Sequence, residues 1–88
     1  MTGPRTGGSE VVLYWRPLCP YCMKLRMKFF LARLPHRKVN IWRDPEAAAY
    51  VRSVADGNET VPTVAVGGRA LVNPSLRQVR TALREAAG

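Results

Sequence analysis

The sequence predicts an α/β fold in which elements follow the order β-α-β-α-β-β-α around a central four-stranded mixed sheet. Three observations predict it. Apolar, β-branched and aromatic runs occur at Val11–Trp15, Lys38–Trp42 and Thr63–Val72, helical periodicity fills the gaps between them, and a Gly67-Gly68 pair splits the last run. A helix between the first two strands fits a parallel pair joined by a right-handed crossover, and the glycine pair fits an antiparallel hairpin.

Val11-Val12-Leu13-Tyr14-Trp15 is continuously apolar, as expected of a strand buried on both faces. Arg16-Pro17-Leu18 interrupts it, and a helix is expected from Pro20 to about Leu34, ended by Pro35. Its apolar stripe is expected from Leu25, Phe29 and Ala32, with Met23, Met27, Phe30 and Leu34 beside them; Lys24, Arg26, Lys28 and Arg33 are left to solvent.

Lys38-Val39-Asn40-Ile41-Trp42 alternates as a strand does, and Asp44-Pro45 supplies an N-cap with proline at the first helical position. Ala47, Val51, Val54 and Ala55 then recur at helical spacing until Gly57-Asn58, a left-handed stop. After the hairpin of Thr63–Val66 and Arg69–Val72, Asn73-Pro74 repeats the cap-plus-proline device ahead of a last helix carrying Leu76, Val79 and Leu83 on one face. Trp15, Trp42 and Tyr14 are expected in the core. This element order is the plan of the thioredoxin-like fold.

Length and composition narrow the functional classes. With 88 residues, 47% of them hydrophobic, the chain has room for one domain, expected over residues 10–88 behind a polar, Gly-rich and flexible tail at 1–9. No apolar run is long enough for a membrane span and the start lacks a secretory segment, so a cytoplasmic setting is expected. The net charge of +8 attracts anions, yet the basic residues are scattered, which argues against a nucleic-acid-binding arm. Nothing in the sequence calls for an oligomer, and a monomer is expected.

The two cysteines form one Cys-x-x-Cys unit. In a reducing compartment such a pair is chemical, and a structural zinc site lacks further ligands because His36 stands alone. A helix beginning at Pro20 makes Cys19 its N-cap, where unsatisfied N–H groups and the positive end of the helix dipole favour a thiolate. Cysteines so placed fall from a free pKa near 8.5 to about 3.5–7.5. Cys22, one turn on and more shielded, is placed to resolve a mixed disulfide formed at Cys19. Pro20 sets φ at the first helical residue and removes a competing donor.

Around the pair, Thr60-Val61-Pro62 supplies a proline just before the third strand, and the likeness to the thioredoxin-like fold implies that it is cis and packs against the cysteines. The Val61 backbone is a candidate for pairing with an extended substrate. Arg16 is a candidate for holding a substrate carboxylate or assisting the thiolate, and Tyr21 for walling the substrate groove. Asn73 and Ser75 lie at a helix N-terminus, where caps and anion contacts both belong.

Cys19-Pro20-Tyr21-Cys22 together with Thr60-Val61-Pro62 and Gly67-Gly68, spread over nearly everything from Val11 onward, resembles the glutaredoxin family. The resemblance implies a dithiol thiol-disulfide oxidoreductase acting on mixed disulfides between proteins and a low-molecular-weight thiol, with no tightly bound cofactor. Glutaredoxins grip the charged ends of glutathione partly with acidic residues at the start of the last helix, whereas Val72-Asn73-Pro74-Ser75 carries none here. That stretch, with Asn40-Ile41-Trp42 and Asp44-Pro45-Glu46-Ala47-Ala48-Ala49, resembles the actinobacterial mycoredoxins.

The likeness to mycoredoxins implies mycothiol as the co-substrate, regenerated by an NADPH-dependent disulfide reductase. The alternative reading is a thioredoxin-like electron donor, for example to a ribonucleotide reductase, reduced directly by thioredoxin reductase. Cluster-carrying members of the family usually lack the proline of this motif, so iron–sulfur carriage is a minor option.

Overall fold

The computed structural model describes residues 10–87; the expected tail at 1–9 lies outside the described residues. Its elements are β1 (Val11–Trp15), α1 (Pro20–Leu31), β2 (Arg37–Asn40), α2 (Pro45–Val54), β3 (Thr63–Val66), β4 (Arg69–Val72) and α3 (Leu76–Ala87). The four strands lie in the order β2-β1-β3-β4. β1 runs parallel to β2 and antiparallel to β3, and β4 returns beside β3 through Gly67 and Gly68, at φ 55° and 86°. A two-residue hairpin with both central residues at positive φ is where glycine avoids the Cβ clash.

The pleat assigns the two faces of the sheet. Val11 and Leu13 of β1 with Val64 and Val66 of β3 point to one side, where Leu25 and Phe29 of α1 and Val79 and Ala82 of α3 complete a core. On the other side Ile41 packs with Ala47, Ala48 and Val51 of α2, and the two cysteines and Val61 join this second cluster. Asp44 caps α2 by accepting the Ala47 N–H at 3.1 Å, with Pro45 at the first helical position.

Five local expectations are corrected. α1 stops at Leu31 and not near Leu34, because Arg33 turns left-handed (φ 54°) and the Leu34 and Arg33 N–H groups donate back to the Phe29 and Phe30 carbonyls at 3.0 and 3.1 Å. This Schellman closure returns Leu34 to the core ahead of Pro35. The stripe on α1 is narrower than its composition suggests: Leu25 and Phe29 are buried, but Met23, Met27 and Phe30 are exposed.

β2 ends at Asn40 and not at Trp42, because the Asn40 side chain accepts the Trp42 N–H at 2.9 Å and turns the chain. Trp42 is thereby exposed, while Tyr14 and Trp15 are half-buried. Finally, α3 is capped by Ser75 and not by Asn73. Ser75 Oγ accepts the Gln78 N–H at 3.1 Å and Gln78 Oε1 accepts the Ser75 N–H at 2.8 Å, a reciprocal capping box that leaves Asn73 in a left-handed turn (φ 50°).

Candidate active site

The chain leaves β1 through Arg16, Pro17 and Leu18 and enters α1 at Cys19, whose extended backbone (φ −109°, ψ 107°) places its side chain over the first turn. The Cys22 N–H donates to Cys19 Sγ at 3.4 Å, and the Met23 N–H donates to the Cys19 carbonyl at 3.1 Å. Cys19 is 4% exposed and Cys22 fully buried, and both are free thiols. Leu18 sits at φ 64° and is 91% exposed. A left-handed leucine costs about 1–2 kcal/mol.

The electrostatics separate the two sulfurs. Burial pushes the Cys19 thiol up, but the Cys22 thiol and N–H, the Arg16 charge and the Tyr21 N–H outweigh it, so its pKa lies below the ordinary value. Cys22 is pushed up to about 12, first by burial and then by its own hydrogen bond to Cys19; the Arg16 N–H and charge oppose this only in part. The two shifts therefore favour the anion at Cys19 and the protonated donor at Cys22.

On the opposite side the Val61–Pro62 peptide is cis, and the Cys19 thiol, when protonated, donates to the Val61 carbonyl at 3.9 Å. The Thr63 hydroxyl donates to the Thr60 carbonyl at 2.7 Å, and the Asn73 N–H to the Pro62 carbonyl at 2.8 Å, fixing this loop to the hairpin. Beside it opens a cavity of about 240 Å³ lined by Tyr21, Lys24, Leu25, Lys28, Pro62, Asn73, Pro74, Ser75 and Gln78. Tyr21, Pro62, Asn73 and Ser75 thus share one wall system.

Arg16, Pro20, Thr60 and Val61 are not on those walls. Arg16 stands by the cysteines, Pro20 opens the helix and Thr60 anchors the loop through its carbonyl. Lys24, Lys28 and Gln78 were missed by sequence reasoning, although Tyr21, Lys24, Leu25 and Lys28 share one face of α1 at helical spacing. Leu18 was missed too, and only its positive φ marks it. Among the described residues no three His, Cys, Asp or Glu side chains gather as metal ligands.

A sequence model of the family described as Glutaredoxin matches residues 11–71, which takes in the cysteine pair and the Thr60-Val61-Pro62 loop. The chain belongs to the glutaredoxin family. This glutaredoxin is 37% identical over 81 residues to a glutaredoxin-like protein of Mycobacterium tuberculosis, covering 91% of this chain and 96% of that one. It is 36% identical over 72 residues to Mycoredoxin 1 of Corynebacterium glutamicum, covering 81% and 89% of the two chains.

In fold it resembles the glutaredoxin-like protein NrdH-redoxin from Escherichia coli, at a TM-score of 0.70 and 21% identity over 82% of this chain and 92% of that one. The thioredoxin-like fold expected from the element order is thus the observed one. Because the Arg16 charge contributes to holding the glutaredoxin's Cys19 as a thiolate, Arg16→Ala is expected to move the midpoint of Cys19 alkylation to higher pH. Measured rates of iodoacetamide labelling between pH 4 and 9 check this, and an unmoved midpoint would remove Arg16 from the site.

Proposed function

We propose that the chain reduces mixed disulfides between proteins and mycothiol, as a cytoplasmic monomer with no tightly bound cofactor. The observation that carries this reading is the Cys19 sulfur, held at the N-terminus of α1 by the Cys22 N–H at 3.4 Å and by Arg16, with a protonated Cys22 thiol beside it. A thiolate so placed is a nucleophile and a good leaving group in the following step.

The Cys19 thiolate attacks the mycothiol sulfur of the mixed disulfide. The S–S bond breaks, the protein thiolate departs and takes a proton from water, and mycothiol remains bonded to Cys19. A second mycothiol thiolate attacks its sulfur in that bond, releasing the mycothiol disulfide and the Cys19 thiolate. An NADPH-dependent disulfide reductase returns that disulfide to thiol, so two electrons pass from NADPH to the protein substrate. Cys22 resolves the alternative adduct in which a protein is bonded to Cys19. Once Cys19 is in a disulfide it no longer carries the charge that opposes ionisation of Cys22, and the buried thiol ionises more readily.

The choice of mycothiol rests on two observations. The cavity beside Pro62 offers hydroxyl and amide groups from Tyr21, Asn73, Ser75 and Gln78 but no carboxylate to receive the ammonium of glutathione. Mycoredoxin 1 is among the relatives of the chain. Arg16, Pro20, Tyr21, Thr60, Val61, Pro62, Asn73 and Ser75 are proposed to bind or position the substrate, joined by Lys24 and Gln78.

The test is turnover of one mixed-disulfide protein with mycothiol, glutathione or thioredoxin reductase as sole electron source. Mycothiol is expected to support turnover at least about tenfold faster than glutathione, equivalent to roughly 1.4 kcal/mol. Equal rates would reject the specificity, and faster turnover with thioredoxin reductase alone would favour the electron-donor reading.

A further inference from the structure

α1 has a second apolar face that the cysteine pair does not use. Met23, Met27 and Phe30 recur at i, i+4 and i+7 and are 51%, 58% and 75% exposed. They border a cavity of about 690 Å³ closed on the far side by Leu34, Pro35 and His36 and rimmed by Arg26, Arg33 and Lys38. No carboxylate lines it. The chain has six acidic residues, of which Glu10, Glu59 and Glu85 pair with Arg37, Arg52 and Arg69, none of which lines the cavity.

The groove is also supported from beneath. Arg26 stacks over the Trp15 ring at 4.8 Å and His36 meets the buried Phe29 edge-on at 4.8 Å, so two of its walls are braced by the core. It opens at Met23, one turn after Cys19, and runs along a helix of 12 residues, about 18 Å.

Charge selects the occupant. A second copy would bring Arg26, Arg33 and Lys38 against themselves on a chain of net charge +8, and residues 1–9 of the chain carry no carboxylate. A lipid surface meets convex apolar faces, whereas this one is a trough that admits a ridge of side chains. A helix with apolar residues on one face and carboxylates flanking them satisfies both the trough and its cationic rim.

We infer that the groove between α1 and the Leu34–Lys38 segment is a docking site for an acidic amphipathic helix of a protein partner, held there while its disulfide exchanges at Cys19. The inference rests on the redox reading above for its purpose, but its geometry is independent of which thiol is used. Exposed Met and Phe side chains supply adaptable apolar contact, and the arginines supply orientation and on-rate.

The experiment uses the full chain and a fluorescein-labelled peptide with leucines at i, i+3, i+4 and i+7 and glutamates flanking them, followed by anisotropy. Saturable binding is expected, weakened by salt. Phe30→Glu is expected to weaken it by about tenfold or more, as loss of a central aromatic anchor does, and Lys38→Glu to weaken it less. Both side chains are on the surface, and circular dichroism confirms that the variants are folded.

Equal binding of a scrambled peptide, or of one with lysine in place of glutamate, would overturn the inference. So would indifference to Phe30→Glu, displacement of the peptide by phosphatidylglycerol vesicles, or a dimer in sedimentation that excludes the peptide. In the kinetic arm, Phe30→Glu is expected to lower kcat/KM about tenfold for a mixed disulfide carried on the acidic peptide, leaving the mixed disulfide of mycothiol with 2-hydroxyethanethiol unaffected. Peptide binding without turnover of either substrate would reject the redox reading and leave the docking site standing; turnover of both without peptide binding would do the reverse.

Discussion

Cys19→Ser is expected to bring disulfide exchange down to less than about one-thousandth of the parent rate, a loss of more than roughly 4 kcal/mol of transition-state stabilisation. The reason is chemical as well as geometric. The Cys22 N–H, the Tyr21 N–H and the Arg16 charge all act on the atom at the Cys19 γ position. A hydroxyl there receives the same donors, but it remains protonated at neutral pH and forms no disulfide.

Cys22→Ser is expected to behave differently. A serine hydroxyl retains a donor beside the Cys19 sulfur, so under the proposed mechanism exchange is expected to continue through the low-molecular-weight thiol alone. The rate of mixed-disulfide reduction, followed by coupled NADPH oxidation, separates the two variants. Full activity in Cys19→Ser would reject the assignment of the nucleophile. The pH dependence carries a sign that is open to test. Because the Cys19 pKa lies below its ordinary value, the parent rate should reach its plateau at a lower pH than the rate of an ordinary thiol does, and fall on acidification.

The raised pKa of Cys22 acts on stability in the opposite direction. The folded chain keeps this thiol protonated up to about 12, whereas the unfolded chain releases its proton near the ordinary thiol value. The contribution is therefore complete below that ordinary value and is lost as pH rises toward 12.

The second large effect separates two neighbouring residues of the same type. Phe29→Ala is expected to destabilise the fold by about 3–5 kcal/mol, and Phe30→Ala by less than about 0.5 kcal/mol. Phe29 is completely buried among Leu13, Leu25, Val64 and Val79, between the sheet and the α1–α3 layer, and supports the His36 ring. Removing it leaves a cavity that strands of a central sheet cannot close. Phe30 is 75% exposed and its loss opens nothing. For a domain of this size the first change lowers Tm by more than about 12 °C. Thermal unfolding of the reduced protein checks both, and similar shifts for the two would contradict the placement of α1.

That pair also shows where a reading of the sequence stops. The helical stripe on α1 is apolar almost all round, so periodicity alone places Met23, Met27 and Phe30 beside Phe29 in the core. What covers a helix face is chosen by elements far along the chain. β3 and α3 reach Leu25 and Phe29, and no described element covers the Met23–Phe30 stripe. Trp42 is a second instance. An alternating pattern extends the strand to it, but the Asn40 side chain ends the strand locally and leaves the indole in solvent.

The functional pair was more legible because its signals are local. Cys19 ahead of Pro20 is an N-cap whatever surrounds it, and Cys22 follows one turn later by helix geometry alone. Asp44-Pro45 and Gly67-Gly68 work in the same way. Asn73-Pro74 misled because Ser75 and Gln78 form the better reciprocal cap two residues on, which a Ser-x-x-Gln pattern announces.

By itself the sequence determined the element order, the hairpin, the helix that starts at Cys19 and the placement of both cysteines at its first turn. Each of these depends on φ preferences, caps and periods within a few residues. Only the tertiary structure decided in which direction each thiol shifts, which residues wall the cavity beside Pro62 and which face of α1 meets water. Those depend on desolvation and on partners that folding brings together from 40 or more residues apart, as with Cys19 and Val61 (|i−j| = 42).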